Sequence, residues 1–316
     1  MSANENTAGR GKVYNSIMDT IGDTPLVRLP NLNAGAKADL LYKLEFFNPG
    51  ASVKDRIALA MVDSLEASGA LKPGGTIVEA TSGNTGIGLA LVAAAKGYKS
   101  IFVMPESMSI ERRKLMTLLG AEIVLTEAVG GMPGAIAKAD EICAQTEGAV
   151  QALQFANPAN PDIHRRTTGP EIWNDTDGKV DVLISGVGTG GTVTGAGSYL
   201  KSKNPNIKVI ALEPAGSPFL STGEKGPHMI QGIGAGFKPD VLDLDVIDEV
   251  VTVDNDTAFE TARQVAKTDG LPVGISSGAA IAASLKIGAR PDMAGKTIVT
   301  IIPSFAERYL STALFD

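Results

Sequence analysis

Cysteine is nearly absent from this chain. Cys143 is the only one in 316 residues, so no internal disulfide can form and a reducing cytoplasm is the expected setting. Histidine is almost as scarce. His164 and His228 stand far apart with no partner at ligand spacing, which excludes a His-rich zinc site while leaving an all-carboxylate one open; no metal is expected. Basic excess is missing too. The net charge is −7 and the pI about 5.0, so there is no footprint for nucleic acid or anionic lipid. Long hydrophobic runs are also lacking: the longest, Ile87 to Ala95, stops at Lys96 and is far too short to span a bilayer. The polar start MSANENTAGRGKVYNS has no apolar core, so no signal peptide is expected.

What remains is a soluble globular composition, 44 % apolar and 20 % charged, long enough for two lobes. From residue 75 onward, apolar runs alternate with segments of helical period. The strand candidates are TIVEA (76–80), SIFVM (100–104), AEIVLT (121–126), VDVLIS (180–185), IKVIALE (207–213), DEVVTVD (248–254) and KTIVTIIP (296–303). Near-continuous apolar strands separated by helices predict parallel sheets covered on both faces. Two such series flank NPANP (157–161), which reads as a crossover between lobes. The early pair PLVRL and LLYKLEF reads as a hairpin that pattern alone assigns to neither lobe. Cys143 falls in GAIAKADEICAQT, a helical pattern, and reads as a small buried hydrophobe.

In open α/β sheets, chemistry collects at the carboxyl ends of strands, and three glycine-rich loops stand there. ATSGNTGIG (80–88) offers Thr81, Ser82, Asn84 and Thr85, with Gly83 and Gly86 permitting close backbone approach. Free N–H groups at a helix start suit a carboxylate or phosphate. SGVGTGGTVTG (185–195) supplies Gly186, Gly188 and Gly191 in G-x-G-x-x-G spacing, with Glu213 ending the next strand. That is a dinucleotide fingerprint, but Gly188 to Thr192 serves equally as a phosphate cradle. In VGISSGAAIAA (273–283), N-capping alone accounts for one of Ser276 and Ser277.

One lysine stands out. In NPGASVKDR (48–56), Ser52 reads as an N-cap and Asp55 as the other half of a capping box. Lys54 then lies in the first helical turn, on the edge of an apolar stripe of Val53, Ile57 and Met61. Helix dipole and burial would both favour its neutral amine, the form that condenses with an aldehyde. A lysine stem lying along the surface with its head in water explains the same residues, so local physics leaves both readings open.

Taken together and in order, NPGASVKDR, TSGNTG, GVGTGGT, HMIQGIGAGF, GISSGAA and ERYLSTALF resemble the cysteine synthase/cystathionine β-synthase family of pyridoxal-phosphate enzymes, in its O-acetylserine sulfhydrylase branch. The resemblance runs from about Ile21 to the end. It implies the tryptophan-synthase-β-like (fold type II) α/β fold, two doubly wound lobes with the cofactor between them. Residues 47–156 would form the smaller lobe, 12–46 with 157–316 the larger, and 1–11 a tail. The implied reaction replaces the β-acetoxy group of O-acetyl-L-serine by sulfide, giving L-cysteine and acetate.

Carried over residue by residue, the resemblance makes Lys54 the catalytic base and the Schiff-base partner of pyridoxal 5′-phosphate. Asn84 would bond the ring hydroxyl, Gly188, Thr189, Gly190, Gly191 and Thr192 the phosphate, and Ser276 the ring nitrogen. Thr81, Ser82, Gly83, Thr85 and Gln154 would hold the substrate carboxylate. The resemblance also implies a homodimer and a complex with the C-terminal tail of serine acetyltransferase. One departure is PSFAERY, where Ala306 takes a position usually held by glycine; a positive φ there would cost about 1 kcal/mol. Two alternatives stand beside this reading. Cystathionine β-synthase-like replacement shares the loops, although no added haem-binding or regulatory domain is expected here. A nicotinamide-dependent dehydrogenase rests on the glycine fingerprint and Glu213.

Overall fold

The structure is a computed structural model that describes residues 11–33 and 35–316, so the expected tail lies almost wholly outside the described residues. Among the described residues, ten strands occur in chain order: β1 (Leu26–Val27), β2 (Asp39–Leu44), β3 (Thr76–Ala80), β4 (Lys99–Pro105), β5 (Glu122–Thr126), β6 (Ala149–Gln151), β7 (Val182–Gly186), β8 (Lys208–Pro214), β9 (Glu249–Val253) and β10 (Thr297–Ile302). They form two sheets, one ordered β1-β2-β10-β7-β8-β9 and the other β5-β4-β3-β6. All pairings are parallel except β1 with β2. The early hairpin therefore extends the larger sheet, through β2 alongside β10.

Side-chain alternation explains why these strands are apolar throughout. In β10, Ile298 and Ile302 enter one core while Val299 and Ile301 enter the core on the opposite face. Helices α1 (Lys54–Ala67), α2 (Asn84–Lys96), α3 (Ile110–Leu118), α4 (Gly131–Gln145), α5 (Ala159–Ile163), α6 (Gly169–Asp175), α7 (Gly191–Lys203), α8 (Phe219–Thr222), α9 (Asn255–Asp269) and α10 (Ile275–Gly288) surround the sheets. The larger sheet is covered by α9 and α10 on one face and by α7 on the other. Each fully buried Val, Leu or Ile contributes about 1.5–3 kcal/mol, and exposing either face of such a strand would forfeit that.

Strand order sets where ligands can bind. In the smaller sheet the chain runs β3, β4, β5 outward and then returns to place β6 on the other side of β3. In the larger sheet it runs β7, β8, β9 outward and returns to place β10 on the other side of β7. Both are topological switch points, where the loops leaving neighbouring strands diverge and open a crevice. The glycine loops 80–88 and 185–195 leave the strands β3 and β7, one at each switch point. Segment 157–161 connects β6 of one sheet to the elements that lead into β7 of the other.

β6 has no counterpart among the predicted strands. Three residues are too few to display a period, and the sheet, not the local sequence, defines it. Cys143 lies on α4 and is partly buried against the Val78, Val103 and Ala135 cluster. Among the described residues, no helix is long and apolar enough to cross a membrane.

Candidate active site

Lys54 is the first residue of α1, and its entry is built differently from a capping box. Ser52 Oγ accepts the Lys54 N–H at 3.2 Å, but the Asp55 carboxylate turns away and accepts the Gly50 N–H at 2.5 Å. The N-cap position is Val53, without a side-chain bond. The reason lies in tertiary contacts: Ser52 bridges to Ser304, Val53 N–H donates to Pro303 O at 2.9 Å, and Arg308 donates to Gly50 O. Ala51 takes a left-handed φ of 58° to make that path. Among the described residues no carboxylate pairs with the Lys54 amine, and desolvation brings it from 10.5 down to about 8. The sequence-level expectation of a reactive amine therefore rests on burial. Asp55, buried with Oδ1 unpartnered, is pushed up to about 7 by desolvation.

A cavity of about 760 Å³ lies between the two switch points. It brings together Lys54, Thr81, Ser82, Gly83, Asn84, Thr85, Gln154, Gly188, Thr189, Thr192 and Ser276. Gly190 and Gly191 stand behind the wall and shape it. Gly190 has a left-handed φ of 83°, and a Cβ on Gly191 would overlap Asn160 Oδ1. No carboxylate occurs among the described residues lining the cavity, whereas Lys54, Arg112 and His228 do. Such a wall favours anions.

Each wall has its own support. The Glu79 carboxylate at the end of β3 accepts the N–H groups of Ala152 and Leu153, both at 3.1 Å, and of Gln154 at 3.4 Å. These bonds pull the Glu79 carboxyl down, burial pushes it up more strongly, and the result is raised. They fix the turn that carries Gln154, where Leu153 is left-handed at φ 55°. Thr85 then donates to Gln154 Oε1 at 2.7 Å, which leaves the amide NH2 to face an anion. Asn84 Oδ1 is buried and without a partner.

Sequence reasoning missed several residues here. His228, Gln231, Gly232, Arg112, Tyr309 and Ser304 all line the cavity. Arg112, at the start of α3, donates to Gln231 Oε1 at 2.6 Å and lies 5.2 Å over the Tyr309 ring. The motifs HMIQGIGAGF and ERYLSTALF marked two of these segments without assigning roles. Arg112 carried no signal, since its partners come from distant parts of the chain. Ser277, read as a possible cap of α10, is instead buried and donates to Ser304 O at 3.2 Å, and the N-cap is Gly274. Ala306 is not among the left-handed non-glycine residues, so the strain anticipated for it does not arise.

The dinucleotide alternative loses its acidic residue. Glu213 is buried and accepts Leu220 N–H at 2.7 Å, Ser221 N–H at 3.0 Å and Ser221 Oγ–H at 2.5 Å. It is occupied in fixing the following loop and does not line the cavity.

Comparison with known proteins agrees with this geometry. The family profile described as "Pyridoxal-phosphate dependent enzyme" matches residues 17–304. A cysteine synthase of Staphylococcus aureus (strain N315) is 53 % identical over 306 residues, 96 % of this chain and 98 % of that protein. Among solved structures, O-acetyl serine sulfhydrylase isoform 3 from Entamoeba histolytica superposes with a TM-score of 0.95 at 47 % identity, over 100 % of this chain and 94 % of that one. O-ureido-L-serine synthase does so with a TM-score of 0.93 at 47 % identity, over 96 % of each chain.

Proposed function

This chain belongs to the pyridoxal-phosphate dependent enzyme family, and from that premise we propose that it is a cysteine synthase, converting O-acetyl-L-serine and sulfide to L-cysteine and acetate. The observation that carries the reading is a buried amine, Lys54, brought down to about 8, between two helix starts on one cavity whose lining among the described residues includes no carboxylate. The residues present fit the cofactor. The unpartnered Asn84 Oδ1 and the hydroxyls of Thr189 and Thr192 sit on the same wall system as the amine. Lys54 would hold the cofactor aldehyde, Gly188 to Thr192 with the N-terminus of α7 its phosphate, Asn84 its ring hydroxyl and Ser276 its ring nitrogen. When bound, pyridoxal phosphate withdraws electrons from the amino acid's Cα–H bond.

The protein's own groups do the rest. Thr81, Ser82, Gly83, Thr85 and the free amide of Gln154 hold the α-carboxylate, which points the Cα–H bond at Lys54. The Lys54 amine takes that proton as general base; the Cβ–O bond breaks and its electron pair leaves with acetate. Sulfide then forms the Cβ–S bond, and Lys54 returns a proton to Cα. A hydroxyl at Ser276, in place of a carboxylate, keeps electron withdrawal modest and so favours prompt loss of the β-group. Reading 47–156 as the substrate-carboxylate lobe, and 12–46 with 157–316 as the phosphate lobe, puts Lys54 at their seam. A homodimer, a cytoplasmic setting and a complex with the C-terminal tail of serine acetyltransferase belong to the same reading.

The test is cysteine formation from O-acetylserine and sulfide by the purified protein. In the Lys54→Ala variant, turnover should fall by about a thousandfold or more with the circular dichroism spectrum unchanged. Full turnover by that variant would overturn the assignment.

A further inference from the structure

Segment 157–161 looks from the sequence like a crossover, and the chemistry above uses no side chain from there through Thr168. That stretch nevertheless buries Asn160, His164 and Thr168 almost completely, and buried polar groups are costly unless they are paired. Their partners are specific. Asn160 Nδ2 donates to Gln154 O at 2.8 Å and to Thr189 Oγ1 at 3.0 Å. The Gly191 N–H approaches the same hydroxyl at 3.5 Å. A hydroxyl oxygen has two lone pairs. With both facing donors, the Thr189 proton has to go elsewhere, and Thr189 lines the cavity.

The second threonine of GTGGT has a similar neighbour. His164 lies in a single π-helical turn, His164–Thr168, an irregularity frequent at functional sites. Its Nδ1 is 2.8 Å from Thr168 Oγ1 and its Nε2 3.1 Å from Thr192 Oγ1. Burial and the nearby Arg56 guanidinium push His164 down to about 3, so the ring is neutral and carries one N–H. If that hydrogen were on Nδ1, the Thr192 hydroxyl would have to donate to Nε2 and would be lost to a ligand. With it on Nε2, Thr168 donates to Nδ1, Nε2–H donates to Thr192, and the Thr192 proton is free for the cavity.

We propose that Asn160 and His164 are positioning residues that turn the hydroxyls of Thr189 and Thr192 into donors toward the phosphate cradle. The cradle then selects a fully ionised phosphate, whose terminal oxygens only accept, over a hydroxyl-bearing or uncharged group. This inference rests on the cofactor reading above, and its consequence is a preference for pyridoxal 5′-phosphate over phosphate-free pyridoxal that depends on the crossover segment.

The experiment titrates both compounds by absorbance into full-length enzyme stripped of cofactor. Asn160→Asp replaces the donor with an acceptor of the same shape, drawing the Thr189 proton toward itself. It should weaken pyridoxal 5′-phosphate binding about tenfold or more while pyridoxal binding stays within about twofold. His164→Phe should act in the same sense, and His164→Gln, which keeps an N–H, should restore most of the loss. If Asn160→Asp does not fold, Asn160→Ser carries the same expectation. In the wild-type enzyme, nitrogen-15 NMR should find His164 protonated at Nε2. Equal losses for both compounds, no loss for either, or protonation at Nδ1 would overturn the inference while leaving the cofactor reading intact. A wild-type protein that binds neither compound would overturn both.

Discussion

The loops at 80–88 and 185–195 share a plan: each leaves a parallel strand at a switch point and opens a helix on the same cavity. Their glycines have opposite surroundings. A Cβ on Gly83 would meet nothing within 4 Å and would stand at the cavity, so no protein atom demands glycine there. Cβ atoms on Gly188 and Gly191 would overlap Gly232 O and Asn160 Oδ1, so those positions are small because the protein is already there. The first loop offers side chains: Thr81, Ser82 and Asn84 face the cavity. The second offers backbone and two hydroxyls, pressed into shape by the segments behind it. A glycine motif is thus two different physical statements, and only neighbours distinguish them.

The most forceful way to break the comparison is Gly191→Ala. Overlap with Asn160 would cost about 3 kcal/mol, lower the melting temperature by several degrees and strip the protein of bound cofactor, as thermal melts and visible absorbance would show. If that variant kept its cofactor, the second loop would not be pressed as described. Gly83→Ala should do the reverse. Fold and cofactor content should match the wild type, while KM for O-acetylserine rises about tenfold, as expected if the added methyl displaces one carboxylate hydrogen bond.

Two smaller effects sharpen what lies between the loops. In cofactor-free protein, acylation of Lys54 should follow a midpoint near 8 and not the ordinary 10.5, readable by peptide mapping across a pH series. A midpoint above 10 would mean that the amine is solvated. The smallest effect concerns Asp55. Its folded value, about 7, lies above the unfolded 3.8, so its stabilising contribution is complete below about pH 4 and is lost as pH rises through 7. Asp55→Asn should remove that loss, raising the melting temperature at pH 8 relative to pH 5 compared with the wild type. An unchanged pH profile would show that Arg308 and the Gly50 N–H already compensate the charge.

Much of this was legible beforehand because it depends on local pattern. Every strand predicted from TIVEA to KTIVTIIP formed within two residues of its expected ends, since burial on both faces requires apolar residues at both parities. Glycine and small polar residues after two of those strands located both loops. The capping box did not form, because contacts from Pro303, Ser304 and Arg308 redirect the chain at Gly50 to Val53. β6 was too short to announce itself. Glu79 carried no signal within TIVEA, yet it holds the turn that presents Gln154.

The sequence by itself determined the α/β alternation, the absence of internal disulfides, the two glycine-rich loops after parallel strands and the lysine at a helix start, because each follows from composition or from residues close along the chain. Only the tertiary structure decided that the loops face one cavity, that Arg112 reaches Gln231, and that Asn160 and His164 stand behind the threonines of GTGGT. These juxtapositions depend on strand order and on hydrogen bonds spanning tens to hundreds of residues. Neither periodicity nor motif spacing carries that information.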